Sequence, residues 1–156
     1  MQPAMTARRL LLAIALLAVA GIAVSSVSLY HHYGTDQSSY CDFGQMFNCD
    51  IVNRSIYSVV MAIPVALLGI LGYMALLVLA TLRRARAETP LILLIASLAG
   101  LGFALYLTYV EKFVLVVWCI LCLSSLAVIA GIAALSVVLV LHERPGGPGS
   151  RPGFGR

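Results

Sequence analysis

Charge is what this chain has least of. Only 10% of its 156 residues are Asp, Glu, Lys or Arg, against about 25% in soluble domains. That deficit excludes a soluble globular fold of ordinary size, because the polar residues occur only as short connectors. The formal net charge of +4 comes without a basic patch interleaved with aromatics, which argues against a nucleic-acid partner. Ionisable groups are almost missing from the apolar runs, so a transporter for soft metal ions, the non-enzyme alternative, lacks the polar pathway it needs. A c-type haem needs His after a C-x-x-C, and Leu123 stands there. A zinc site needs compact paired knuckles, which the four cysteines do not form, so no metal is expected.

What the chain has is apolar length. It is 62% hydrophobic with a mean hydropathy of +1.02. Four runs stand out, at residues 10–29, 59–82, 91–110 and 113–141. About 20 apolar residues cross roughly 30 Å of hydrocarbon as a helix. The expected fold is therefore all-α and integral to a membrane, a bundle of four transmembrane helices with a long outer loop between the first two. Residues 1–9 form a short N-terminus, 10–142 the membrane domain, and 143–156 a Gly-, Pro- and Arg-rich tail expected to be disordered. The fourth run, with 29 residues, is long enough that its helix must tilt or protrude. Pro64 is expected to kink the second helix.

Charge asymmetry orients the bundle. Arg8 and Arg9 precede the first run, Arg83, Arg84 and Arg86 join the second to the third, and Arg144, Arg151 and Arg156 follow the fourth. The other side holds Arg54 and Lys112 with Asp36, Asp42, Asp50 and Glu111. The positive-inside rule puts both termini in the cytoplasm of a cell (inner) membrane protein. A cleavable leader is the alternative for the first run, which is long for an apolar core of about 7–15 residues. In either case all four cysteines fall on the outer side, where disulfides persist.

Cys119 and Cys122 form a C-x-x-C inside the fourth run, and Cys41 and Cys49 lie in the long polar loop. Four cysteines permit two bridges in three connectivities. A bridge across i and i+3 closes too small a loop to staple a fold, so such a pair is useful because it opens. A dithiol in lipid can exchange electrons with a lipid-soluble acceptor, fed from the loop pair above. Reckoned as a helix from residue 113, Cys119 lies about 9 Å along the span. Trp118 adjoins the motif as an interfacial anchor or the wall of a ring-binding pocket. Ser55 and Ser58 are candidate helix N-caps, and Ser55 also offers a hydrogen bond to a substrate carbonyl. His31 and His32 end the first run as interfacial or proton-moving groups.

The ordered set resembles the vitamin K epoxide reductase family, including its bacterial members. It comprises four apolar runs, a first outer loop with Cys41 and Cys49, Ser55 six residues later, and WCILC at Trp118 to Cys122. The segment NCDIVNRSIYSVVMAIPVALLGILGY is also similar to bacterial members. The resemblance implies a quinone-dependent thiol–disulfide oxidoreductase that supports disulfide formation. It makes Cys119 and Cys122 the active-site pair, with Cys122 engaging the quinone, and Cys41 and Cys49 the shuttle pair. Cys41 would exchange with an outer DsbA- or thioredoxin-like protein, separate from this chain, and Cys49 would bridge transiently to Cys119. Ser55 and Trp118 would border a menaquinone, ubiquinone or vitamin K type of ring. Some animal members carry an Asn on the second helix and a Tyr one turn after the C-x-x-C. Here no Asn follows Asn53 in that helix and Leu126 takes the second position, which argues against epoxide reduction. A DsbB-type oxidase, the enzyme alternative, carries its two cysteine pairs in the opposite order.

Overall fold

The computed structural model describes residues 2–34, 47–53, 55–60, 63–82 and 88–143. Cys41, the Arg83–Arg86 connector and the tail after residue 143 lie outside them. Four helices in the described chain are long and apolar enough to cross a membrane. The fold is the all-α four-helix membrane bundle expected from the apolar runs.

Helix α1 spans Gln2–Tyr33 and packs against both α3, Val65–Leu82, and α5, Ile120–Glu143. Helix α4, Thr89–Val110, packs chiefly on α5. The four helices close on Ile14, Leu76, Leu93, Ile132 and Leu139, while residues such as Leu16, Leu71, Ile95 and Val138 point outward. An apolar exterior is what lipid contact requires, and the helical form satisfies every mid-span amide internally. At one crossing the backbone of α1 comes close to α3. A Cβ built on Gly21 would lie 2.5 Å from the Tyr73 ring, so only glycine leaves room for that aromatic.

Two of the expected helix limits are corrected. The second membrane helix begins at Val65, not residue 59. Before it, Ser55 leads a 3-10 turn, Ile56–Ser58, then strand β1, Val59–Val60, pairs antiparallel with β2, Ile63–Pro64. Pro64 stands just ahead of the helix, where its missing N–H costs nothing, so it starts α3 and does not kink it.

The fourth helix begins at Ile120, not residue 113. Instead α4 runs on through a π-helical turn, Glu111–Leu115. The chain then reverses at Val116, whose φ of 55° and ψ of 28° are left-handed. That conformation is uncommon for a β-branched residue. It lets Val117 N–H donate to the Glu111 carbonyl at 3.2 Å, so the turn's backbone is satisfied by its own chain. Hydropathy cannot register this turn because every residue in it from Phe113 to Trp118 is apolar or aromatic. The long fourth run thus divides into a turn and a helix of 24 residues.

Candidate functional site: the cysteine end of the bundle

The short helix α2, Cys49–Asn53, carries the loop cysteine. Asn48 caps it, its side-chain oxygen accepting the Ile51 N–H at 3.0 Å. The segment ahead of α2 is stitched to the C-x-x-C segment. Phe47 and Trp118 form a parallel bridge, and Asn48 N–H donates to the Trp118 carbonyl at 3.1 Å. Cys49 is thereby held against Cys119. Both are fully buried, in one small apolar cluster with Val52 that also takes in Leu115, Val117, Leu121 and Cys122. Cys49 is disulfide-bonded, whereas Cys119 and Cys122 are free thiols.

Cys119 is the residue before α5, and its carbonyl accepts the first intrahelical bond, from Leu123 N–H at 3.0 Å. It therefore occupies the N-cap and not a mid-helix position. The reason is the turn at Val116, which moves the helix start seven residues along from the limit that hydropathy suggests. The Cys122 thiol donates to the Cys119 sulfur and holds the Cys119 thiol below its ordinary pKa. Amide donation from Cys122 and Leu121 adds to this, against burial and the repulsion of the Glu111 carboxylate. A thiolate at a helix N-terminus is the form such donors favour.

Cys122 faces a different space. It lines a cavity of about 300 Å³ that opens between α1, α3, α4 and α5. Ligand pockets of this kind are mostly apolar with a few polar points, and here Ser55, Tyr73, Ser125 and Glu111 supply those points. Neither Cys119 nor Trp118 is among the residues lining the cavity; Trp118 serves the strand-like contact with Phe47. Ser55 reaches the cavity wall while its hydroxyl donates to the Val52 carbonyl at 2.8 Å, leaving its oxygen lone pairs for a donor. Ser58 donates likewise to the Ser55 carbonyl at 2.7 Å. Neither serine side chain caps the 3-10 turn. His32 also lines the cavity, and His31 is buried at the end of α1.

Of the site's polar residues, Tyr73 with its partner Ser125, and Glu111, escaped the sequence reading. Tyr73 on α3 reaches across to α5, its hydroxyl 3.0 Å from the Ser125 carbonyl and 2.9 Å from the Ser125 hydroxyl. It brings a phenol to α5 at Ser125. The second is Glu111, which the sequence places at a helix end facing outward. Its carboxylate is 1% exposed and accepts the Cys119 N–H at 3.2 Å. The only sequence signal for it was its isolation, one acid in a long apolar stretch, eight residues before Cys119.

Among the described residues no three His, Cys, Asp or Glu side chains gather as a metal ion would require. The curated proteins compared with the chain include none that matches it. A family model described as the vitamin K epoxide reductase family matches residues 12–137. That range takes in all four cysteines, Ser55 and most of every membrane helix. The chain belongs to the vitamin K epoxide reductase family, and its activity is that of a membrane oxidoreductase.

Proposed function

We propose that this protein passes electrons from an outer dithiol protein of DsbA or thioredoxin type to a quinone in the membrane, and so drives disulfide formation. The observation that carries the reading is the divergence of the two active-site thiols. Cys119 packs with Cys49, whereas Cys122 borders the cavity. One thiol is placed to receive electrons and the other to give them away.

The steps balance as thiol–disulfide exchange. The partner's dithiol reduces the disulfide between Cys41 and Cys49 and leaves oxidised. The Cys49 thiolate attacks Cys119 of an oxidised Cys119–Cys122 pair, so a Cys49–Cys119 bond forms and Cys122 is released. Cys41 then attacks Cys49, which restores the shuttle disulfide and frees Cys119. The resulting dithiol transfers two electrons and two protons to the quinone and closes again. A disulfide at Cys49 together with free Cys119 and Cys122 matches the stage just before that transfer. Burial and tethering make each internal exchange unimolecular, which raises its effective molarity.

The apolar cavity suits a quinone ring, with the Tyr73–Ser125 pair and Ser55 as its polar points, Ser55 serving a ring oxygen once its hydroxyl turns from the Val52 carbonyl. Trp118 would shield the approach from the outer side and not touch the ring. The Arg distribution supports cytoplasmic termini, with the cysteine end facing out.

The test is turnover of a soluble quinone by the purified full chain with a reduced DsbA-like protein. Cys122→Ser is expected to lower quinone reduction by on the order of 10³ or more, as loss of a nucleophile does, while a mixed disulfide through Cys119 still forms. Full quinone turnover by Cys122→Ser would overturn the reading.

A further inference from the structure

The relay as described leaves one buried group without work. Glu111 is 1% exposed, and its Oε2 accepts the Cys119 N–H at 3.2 Å. Among the described residues its Oε1 has no hydrogen-bond partner. The carboxyl lines the cavity alongside Cys122 and lies within electrostatic reach of that thiol. A carboxyl with one oxygen left unpaired in an apolar site is costly. The N–H of Cys119 alone does not account for it, because any carbonyl oxygen would accept that bond.

The chemistry of the site does call for such a group. When a dithiol closes to a disulfide, two protons leave with the two electrons. The Cys122 side chain gives its proton up in an apolar cavity, away from bulk water. We propose that Glu111 is the proton acceptor of Cys122, its free Oε1 taking the thiol proton as the disulfide closes and returning it to the reduced acceptor. In bonds, the Cys122 S–H turns from the Cys119 sulfur to Glu111 and breaks as an O–H forms on Glu111. The Cys122 thiolate adds to the acceptor. The Cys119 thiolate attacks the Cys122 sulfur, so the S–S bond forms and the acceptor leaves with both electrons. It takes one proton from Glu111 and the second from the medium; Cys119, freed as a thiolate when Cys41 attacks Cys49, has none to give. This rests on the redox role of the cysteine pair and holds for any two-electron acceptor of that pair.

Other titratable groups stand round the site. Cys119 stands at the N-cap of α5 and Cys122 in its first turn, and α2 contributes Cys49, which is disulfide-bonded and does not titrate. His32 of α1, Tyr57 and Tyr73 of α3 share the cavity wall. Lys112 is engaged elsewhere, its Nζ 5.3 Å from the centroid of the Phe113 ring.

The experiment follows closure of the reduced full chain in detergent with two oxidants, menadione as the quinone and diamide as a small non-quinone acceptor. Disulfide formation is read by mass after alkylation, from pH 5 to 9. Glu111→Gln keeps an oxygen for the Cys119 N–H and removes the proton site. It is expected to slow closure at pH 7 by on the order of 10²-fold, the worth of a general base, with both oxidants. Its rate should then climb roughly tenfold per pH unit toward the ordinary thiol range near 8.5. Wild type and Glu111→Asp should show a much flatter profile. A Glu111→Gln protein with the wild-type rate and profile in diamide overturns the proposal. So does a uniform loss at every pH that Glu111→Asp shares, because that pattern marks a positioning role. If wild type fails to reduce menadione while the diamide effect persists, the quinone reading falls and this one stands. Should Glu111→Gln lose its helical circular dichroism, Glu111→Asp and wild type decide. A flat profile in both supports the proton acceptor, and a tenfold-per-unit slope in wild type sinks it.

Discussion

The two ends of the bundle are built by different rules. At the end far from the cysteines, long regular helices close on Leu11, Ala80, Leu93 and Leu139. At the cysteine end the chain breaks regularity in two places, before α3 and before α5. It makes a π turn, a left-handed valine, a 3-10 turn and two strands of two residues each. It also buries a carboxylate. The difference teaches where stability and where chemistry reside. Local rules are kept where only packing is at stake and broken where groups must be aimed. The irregular backbone there satisfies its own polar groups, Val117 N–H on the Glu111 carbonyl and Ser58 N–H on the Ser55 carbonyl, as an apolar surrounding demands.

Several substitutions would break or sharpen that contrast. The largest effects belong to the aimed thiol Cys122 and then to the carboxyl beside it, through the losses of turnover and closure rate described above. In the regular half, Leu139→Ala removes a fully buried side chain and should cost about 2–5 kcal/mol. Unfolding in a denaturing detergent would measure it, with quinone turnover per folded molecule unchanged. A matching loss of turnover would mean that the two ends are not separable.

A subtler difference concerns Cys119 itself. Its thiol is held below the ordinary value, chiefly by the Cys122 thiol hydrogen bond. A lowered value means that the thiolate persists to lower pH. Alkylation of Cys119 in the reduced protein should therefore have its midpoint below the usual thiol value of about 8.5. In Cys122→Ala that midpoint should move up, since the main donor is gone. An unchanged midpoint would assign the effect to the helix terminus alone.

The smallest effect is expected at the turn. Val116 holds a left-handed conformation, a strain of about 1–3 kcal/mol for such residues. Glycine adopts it freely but has more freedom to lose on folding, about 0.5–1 kcal/mol. Val116→Gly should thus be neutral to modestly stabilising in the same unfolding assay. Marked destabilisation would show that the valine side chain, 74% exposed, contributes packing to the membrane face.

The limits of sequence reading follow the same division. Four apolar runs, each sufficient to span, made the bundle legible, because span length is a sum over residues and needs no knowledge of neighbours. The cysteine pairs were legible as chemistry. The start of α5 was not, since a turn built from Val, Trp and Leu has the same hydropathy as a helix. Pro64 was misassigned for a related reason, as proline both kinks helices and begins them. Tyr73 and Glu111 were passed over because their meaning depends on Ser125 and Cys119, 52 and 8 residues away.

By itself, then, the sequence determined the solvent of this protein and its reagents: lipid, from the scarcity of charge, and thiols, from four cysteines in two spacings. Tertiary structure alone decided which way each thiol of the C-x-x-C faces. It put Cys119 at a helix terminus with Cys49, Cys122 on a cavity, and a carboxyl between the two. The physical reason is that facing is set by where a helix begins. Here that start is determined by a backbone reversal and a buried hydrogen bond from Cys119 to Glu111, neither of which has a signature in composition or period.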